Sequence, residues 1–261
     1  MKTLAIIGSN GLLGSDLVRY LGKSFNVTPI NKDNYQPQIG KHFDIVINAN
    51  GNSKRFWANQ NPQDDFIVST ASVYKSIFDF PCELYIYISS SDVYENHTEV
   101  KYTKEQDEID PKNLQPYGLN KYLSELIVKK YKEKFLILRA SMILGSNLKK
   151  GPFYDIFHNT PLFITPKTKL QLITTHAVAD IIRTLLEKSV ICETLNIGGE
   201  GVFDFTKIEE YVDNKLQISP KAETQIYEMN VEKIKSLFPD LKVSNEYLKD
   251  FLQYYQNKTS K

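Results

Sequence analysis

Short apolar runs alternate with amphipathic stretches through the first two-thirds of the chain. Thr3–Ile7, Asn26–Ile30, Asp44–Asn48, Glu83–Ser89 and Phe135–Ala140 are apolar on both faces. That pattern predicts strands of a parallel sheet covered on both sides by helices. Between them, 12–21, 62–80 and 116–134 predict helices. Asn61-Pro62 and Gln115-Pro116 place proline where a first helical residue tolerates it, and Pro81 closes the middle helix. The β-α-β-α order predicts a doubly wound α/β sheet with right-handed crossovers. One crossover is too short for a helix: only 31–43 joins the second and third strands, and it contains Pro37 and Gly40. A loop or a single helical turn is expected there.

The pattern changes after Gly145. Residues 146–170 are rich in lysine, proline and aromatics, with weak periodicity. A helix is predicted over 176–188, a strand over Glu193–Ile197, and helices over 205–216, 230–238 and 244–256. Ser244 is the expected cap of the last helix, and Tyr247, Leu248, Phe251, Leu252 and Tyr255 form an apolar stripe that reads as core. The polar tail, 257–261, is expected to fray.

Composition narrows the function. Lys+Arg 32 against Asp+Glu 31 leaves a net charge of +1 over 261 residues. This balance gives no reason to expect nucleic acid or an anionic membrane as partner. No apolar run approaches the ~18 residues of a membrane span, and a strand begins almost at once, so a cytoplasmic protein is expected. Cys82 and Cys192 lack C-x-x-C spacing and read as reduced core residues. His42, His97, His158 and His176 show no ligand spacing, so no metal is expected.

Three pieces carry candidate chemistry. The first strand runs into Gly8-Ser9-Asn10-Gly11-Leu12-Leu13-Gly14 and then a helix. A glycine turn at that junction lets backbone approach a pyrophosphate, and the helix N-terminus offers it free N–H groups. The fourth strand ends in Ser89-Ser90-Ser91-Asp92-Val93-Tyr94, on the sheet edge where ligands bind. Tyr117 and Lys121 lie one helical turn apart. A phenol with an ordinary pKa of about 10 is a poor proton donor or acceptor at neutral pH, and a nearby ammonium lowers that value.

With these pieces in this order, the chain resembles the extended short-chain dehydrogenase/reductase family of sugar-nucleotide epimerases, dehydratases and ketoreductases. The resemblance includes Gly8-x-x-Gly11-x-x-Gly14, Asp44 to Asn50, Ser89 to Tyr94, Tyr117-x-x-x-Lys121 with Glu125, Leu138-Arg139-Ala140, Thr175 to Ile181, and Asn196-Ile197-Gly198. It implies a Rossmann-like doubly wound parallel sheet with a small C-terminal substrate lobe: residues 1–145, with 171–198 returning to them, bind the dinucleotide, and 146–170 and 199–261 form the lobe. It implies that Ser90 (with Ser89 and Ser91 as alternatives) hydrogen-bonds the substrate oxygen, that Tyr117 is the general acid or base, and that Lys121 tunes it and holds the nicotinamide ribose. Asn48, Ala49 and Asn50 would border the cofactor. A homodimer is implied through helices 62–80 and 116–134, with Ile67, Thr70, Ala71, Tyr74, Tyr122, Leu126 and Lys129 as contributors.

Departures from the family pattern refine the expectation. Asn31 and Lys32 end the second strand where an acidic residue would select NAD. Lys32 could meet a 2′-phosphate, so NADP is preferred, with NAD kept open through Asp33. The family's 4,6-dehydratases place an Asp-Glu pair after the catalytic hydroxyl. Here Ser91-Asp92 lacks the first carboxylate, which argues against elimination. The expected function is an NAD(P)-dependent 4-ketoreductase of a nucleotide-linked sugar. An NAD-dependent C4 epimerase and a non-catalytic dinucleotide-binding relative are the alternatives. Ser53, Asn120, Lys149, Lys167 and Lys169 are candidate substrate contacts, and Arg139 reads as half of a structural ion pair.

Overall fold

Six parallel strands, β1 (Thr3–Ile7), β2 (Asn26–Ile30), β3 (Phe43–Asn48), β4 (Cys82–Ser90), β5 (Phe135–Ala140) and β6 (Glu193–Ile197), line up in the order β2-β1-β3-β4-β5-β6. The computed structural model describes residues 1–212 and 216–259. Register pairs Ile7 with Ile30 and Asn48, and Ala140 with Ser90 and Ile197, so the carboxyl ends of all six strands finish along one edge. The chain leaves β1 first for β2 and then returns to β1's other side for β3. That reversal opens a crevice at the strands' carboxyl ends, where doubly wound sheets bind ligands.

The period-two alternation sorts side chains into two cores. Leu4 and Ile6 of β1 face Leu17, Ile181 and Leu185 from helices Leu12–Leu21 and Thr175–Glu187. Ala5 and Ile7 share the opposite core with Val73, Ile77 and Val128. The short β2–β3 connection holds only a 3₁₀ turn, Gln36–Gln38, as its length required. A third cluster gathers Leu144, Phe153, Phe203, Phe205, Leu248 and Phe251. Val231, Ile234, Leu241 and Tyr247 pack with the main sheet instead, so the C-terminal stretch contributes to both.

Several elements differ from expectation. The predicted 62–80 helix is Pro62–Asp65, a π-helical stretch Phe66–Ala71, and Ser72–Asp79 in succession. Within the widened part Ser69 bonds Asp65, and Thr70 Oγ1 donates to the Asn120 carbonyl at 2.9 Å. The 205–216 helix is a 3₁₀ helix, Phe205–Glu210, and residues 213–215 of that prediction lie outside the described residues. The next helix starts at Glu232 because the Asn230 side chain accepts from its N–H at 3.0 Å. Ser244 is the first residue of Ser244–Thr259, and its hydroxyl bonds outward to Gly201 and Leu172. The predicted frayed tail is helical through Thr259; residues 260–261 lie outside the described residues. Both cysteines are free thiols, but only Cys82 is partly covered; Cys192 is exposed in a turn at φ 57°. Among the described residues no helix is long and apolar enough to cross a membrane.

Candidate active site

The crevice begins at the glycine turn. Gly8 has φ +85°, and a Cβ there would sit 2.8 Å from the Ala49 carbonyl oxygen, so the first and third strand ends touch through bare backbone. The Gly8 and Ser9 N–H groups both donate to Ile30, and Gly11 N–H donates to Gly8. Helix Leu12–Leu21 then starts without a side-chain cap and without an acidic residue in its first turn. The Ser9 hydroxyl is buried with no hydrogen-bond partner. Bare helix N–H groups, a collar without side chains and an orphan hydroxyl fit a dinucleotide pyrophosphate. Asp16 secures this turn from behind, accepting from Ser146 N–H at 3.0 Å and Thr175 Oγ1 at 2.7 Å. Asn147 Nδ2 reaches the Asn10 carbonyl at 3.2 Å from the same loop.

Asn48 is committed inward. Its Nδ2 donates to Ser76 and Tyr85, and its Oδ1 accepts from Asn50 N–H at 2.9 Å, which shapes the turn that presents Ala49 and Asn50. At the end of β2, the Asn31 side chain is likewise used locally: it accepts from the N–H groups of Asp33 and Asn34. Lys32 and Asp33 are exposed.

Of the three serines that end β4, only Ser90 turns toward Tyr117. Ser89 Oγ turns to Glu125 Oε1 at 2.6 Å, and Ser91 opens the 3₁₀ turn Ser91–Val93. Ser90 lies beside the Tyr117 phenol and favours its ionised form. Helix Pro116–Tyr131 approaches this turn so closely that a Cβ on Gly118 would overlap the Asp92 carbonyl. One turn on, Lys121 is buried, donating to the Ile88 carbonyl at 3.2 Å with its ammonium 5.3 Å from the Tyr87 ring centroid.

The electrostatics run opposite to the expectation for Tyr117. Burial, then the Asp92 carboxylate, push the phenol well above its ordinary value, and Ser90 offsets only part of this. Lys121 is itself the perturbed partner: burial lowers it from 10.5 to about 8 against the attraction of Asp65, Glu125 and Asp92. Spacing indicated that the two groups are neighbours, but desolvation of both decides the direction.

A second layer holds these groups. Arg139 pairs with Glu125 at 2.8 Å and donates to Tyr94, whose hydroxyl donates to Asn196 at 2.8 Å. Asn120 is buried and donates to Asp65 Oδ2 at 2.7 Å, so it braces helices rather than meeting substrate. Lys149, Lys167 and Lys169 are exposed, whereas Lys150, not singled out by the sequence, bonds the Ser53 carbonyl across the crevice. Burial, and then neighbouring Lys54, lower Lys150 to about 8. Arg55 and Tyr227 were also missed. They meet Asp92, and only the Ser90-x-Asp92 spacing, which favours a local side-chain turn, pointed to that position.

Comparison with known proteins follows this geometry. The sequence pattern of the NAD dependent epimerase/dehydratase family matches residues 4–229. No curated protein matches the sequence. Among solved structures, the dTDP-4-dehydrorhamnose reductase from Bacillus anthracis str. Ames in complex with NADP is similar with a TM-score of 0.80 at 16% identity, over 97% of this chain and 99% of that one. The UDP-N-acetylglucosamine 4-epimerase from Methanobrevibacter ruminantium M1, in complex with UDP-N-acetylmuramic acid, gives 0.78 at 14%, over 98% and 99%. The UDP-glucuronic acid 4-epimerase from Bacillus cereus, in complex with UDP-glucuronic acid and NAD, gives 0.76 at 16%, over 98% and 99%. At these identities the likeness is one of fold.

Proposed function

This chain belongs to the NAD dependent epimerase/dehydratase family, and from that premise we propose that it is an NAD(P)-dependent oxidoreductase of nucleotide-linked sugars, working as a 4-ketoreductase. The observation that carries the reading is the grouping of Ser90, Tyr117 and Lys121 at the sheet edge that also carries the uncapped glycine turn. The backbone from Gly8 to Gly14 and the Ser9 hydroxyl hold the pyrophosphate, Lys32 the adenosine end, and Lys121 the nicotinamide ribose. When bound, the nicotinamide supplies the hydride. Ser90 hydrogen-bonds the substrate carbonyl oxygen, and Tyr117 gives that oxygen its proton. The third apolar cluster forms the floor of the substrate lobe.

Fold does not choose between reductase and epimerase, because both kinds of neighbour share it. The end of β2 supports the reductase. Asn31 is occupied within its own turn and no carboxylate replaces it, while Lys32 stands free to meet a 2′-phosphate. Elimination of water is disfavoured, since Asp92 is already engaged by Arg55 and Tyr227.

Thermal shift with the four dinucleotides tests the assignment. Ligand at 100 times its Kd stabilises the fold by about 2.7 kcal/mol, a rise of several degrees for a chain this long. NADPH and NADP⁺ are expected to raise the midpoint. A rise with NADH and NAD⁺ alone overturns the Lys32 assignment and favours the epimerase. No rise with any of the four, on protein free of bound cofactor, overturns the glycine-turn site.

The chain works as a cytoplasmic homodimer in this reading. Ile67, Tyr74, Phe78, Leu126 and Tyr131 are exposed on the two helices the family pairs, and Tyr74, Phe78 and Tyr131 form one edge-to-face cluster. Thr70 is buried between those helices and takes no part. Light scattering is expected to give twice the 30.1 kDa chain mass, reverting to the monomer when Ile67 and Leu126 are both replaced by Asp. A monomeric wild type sinks the dimer.

A further inference from the structure

Asp92 is the meeting point of three separate parts of the chain. Its Oδ2 accepts the Ser90 hydroxyl at 3.0 Å, while Asp92 N–H donates back to Ser90 Oγ at 3.2 Å. Its Oδ1 accepts from Arg55 Nη1 at 3.1 Å and from the Tyr227 hydroxyl at 3.1 Å. Arg55 comes from helix Arg55–Gln60, and Tyr227 from the short strand Ile226–Tyr227 that pairs with Lys169–Leu170. The Tyr227 ring is itself fixed: His97 stacks on it at 3.7 Å, and the Arg55 guanidinium lies 5.0 Å from its centroid.

A serine hydroxyl has one hydrogen. That hydrogen goes to Asp92 in the free protein, which holds Ser90 Oγ in one rotamer until a substrate carbonyl oxygen takes the hydrogen in its place. We propose that Asp92 is a positioning residue, which fixes the rotamer of Ser90, and that Arg55 and Tyr227 hold Asp92 in place. The inference rests on the reading of Tyr117 and Ser90 as the reacting pair. It adds that the segment carrying Tyr227, far along the chain, sets the geometry of the serine that meets the substrate oxygen. Arg55 neutralises Asp92 enough for the carboxylate to stand beside a buried phenol, and Tyr227 fixes which carboxylate oxygen remains for Ser90.

The electrostatic consequence gives a readout separate from stability. Tyr117 is faced by Asp92 from the turn after β4, Asp65 from Pro62–Asp65, Arg55 from Arg55–Gln60, Tyr87 from β4 and Lys121 on its own helix. The Asp92 charge raises the phenol. Asp92 also raises Lys121, whose pKa is about 8, so the rate is lost as pH rises and the Lys121 ammonium gives up its proton. Removing the Asp92 charge brings that loss to lower pH.

The experiment measures pH profiles of kcat and KM for Asp92→Ala, Asp92→Asn, Tyr227→Phe and the Asp92→Ala/Tyr227→Phe double variant, with Tyr117→Phe as reference. Asp92→Ala is expected to lower kcat by about tenfold, the scale of a misdirected reacting group, with KM for the dinucleotide unchanged. Asp92→Asn keeps an acceptor for Ser90 and recovers part of kcat, yet both variants move the basic limb to lower pH. Tyr227→Phe keeps the stack with His97, loses less than Asp92→Ala, and has no further effect in the double variant. If Asp92→Ala leaves kcat within about twofold and the limb unmoved while Tyr117→Phe still abolishes turnover, the positioning role is overturned and the proposed chemistry stands. A simple loss of folded protein, seen as a lower thermal midpoint with no shift of the limb in any variant, also overturns it. Unimpaired turnover of Tyr117→Phe overturns the reading on which the inference rests.

Discussion

Phenylalanine in place of Tyr117 is expected to lower turnover by about 100- to 10,000-fold, the range a positioned general acid contributes, while dinucleotide binding survives. The substitution removes one oxygen. Ser90 keeps its bond to the Asp92 carboxylate and its bond from Asp92 N–H, so the turn after β4 stays formed. Gly118, the close approach that seats the helix, is untouched. The glycine turn that would hold the pyrophosphate lies on β1, away from the change. The loss therefore appears in kcat, with the thermal shift on dinucleotide addition preserved. Ser90→Ala should behave similarly in direction, since it removes the hydrogen bond to the substrate oxygen. Turnover of Tyr117→Phe within tenfold of the wild type would move the proton source to another group and dissolve the assignment of the whole cluster.

The sequence disclosed most of the scaffold because the scaffold is local chemistry. β1, β2, β5 and β6 coincide with short runs rich in apolar residues, and their bounds are readable to the residue. The twelve residues between β2 and β3 excluded a helix by length alone. The glycine turn and the serine run both lie at strand ends on the carboxyl edge, a placement that the strand order fixes. What escaped is tertiary. Helix Arg55–Gln60 has no apolar stripe to announce it, and its Arg55 matters only because a strand some 170 residues later brings Tyr227 to the same carboxylate. Asn48 and Asn120 read as polar residues near a ligand, yet both are buried braces. Polarity in a sequence carries no sign of which way a side chain turns. The same blindness inverted the Tyr117 expectation: spacing placed an ammonium one turn away, but burial and the Asp92 carboxylate, invisible at that level, set the direction.

Methionine in place of Lys121 is expected to abolish turnover and to raise stability. The ammonium is buried, and burial brings its pKa from 10.5 down to about 8 despite three surrounding carboxylates. At about 1.4 kcal/mol for each tenfold change in proton affinity, holding Lys121 charged at neutral pH costs the fold roughly 3 kcal/mol. A neutral side chain of similar length removes that cost, and for a chain of this size the midpoint should rise by about 5–10 °C. The pH dependence fixes the sign. Above about pH 8 the folded protein has released the Lys121 proton, whereas the unfolded chain keeps it until near 10.5. Wild-type stability therefore gains relative to the variant as pH rises across that interval. The gap between variant and wild type is full below about pH 8 and closes toward pH 10.5. Chemical denaturation of both proteins at pH 7, 9 and 10.5 measures it directly. A variant no more stable than the wild type at pH 7 would show that Lys121 is compensated in the folded state, and that its ammonium is not held there against a cost. A stabilised variant that no longer turns over would identify Lys121 as a charge the fold keeps for its chemistry, the trade between stability and activity that a buried functional group imposes.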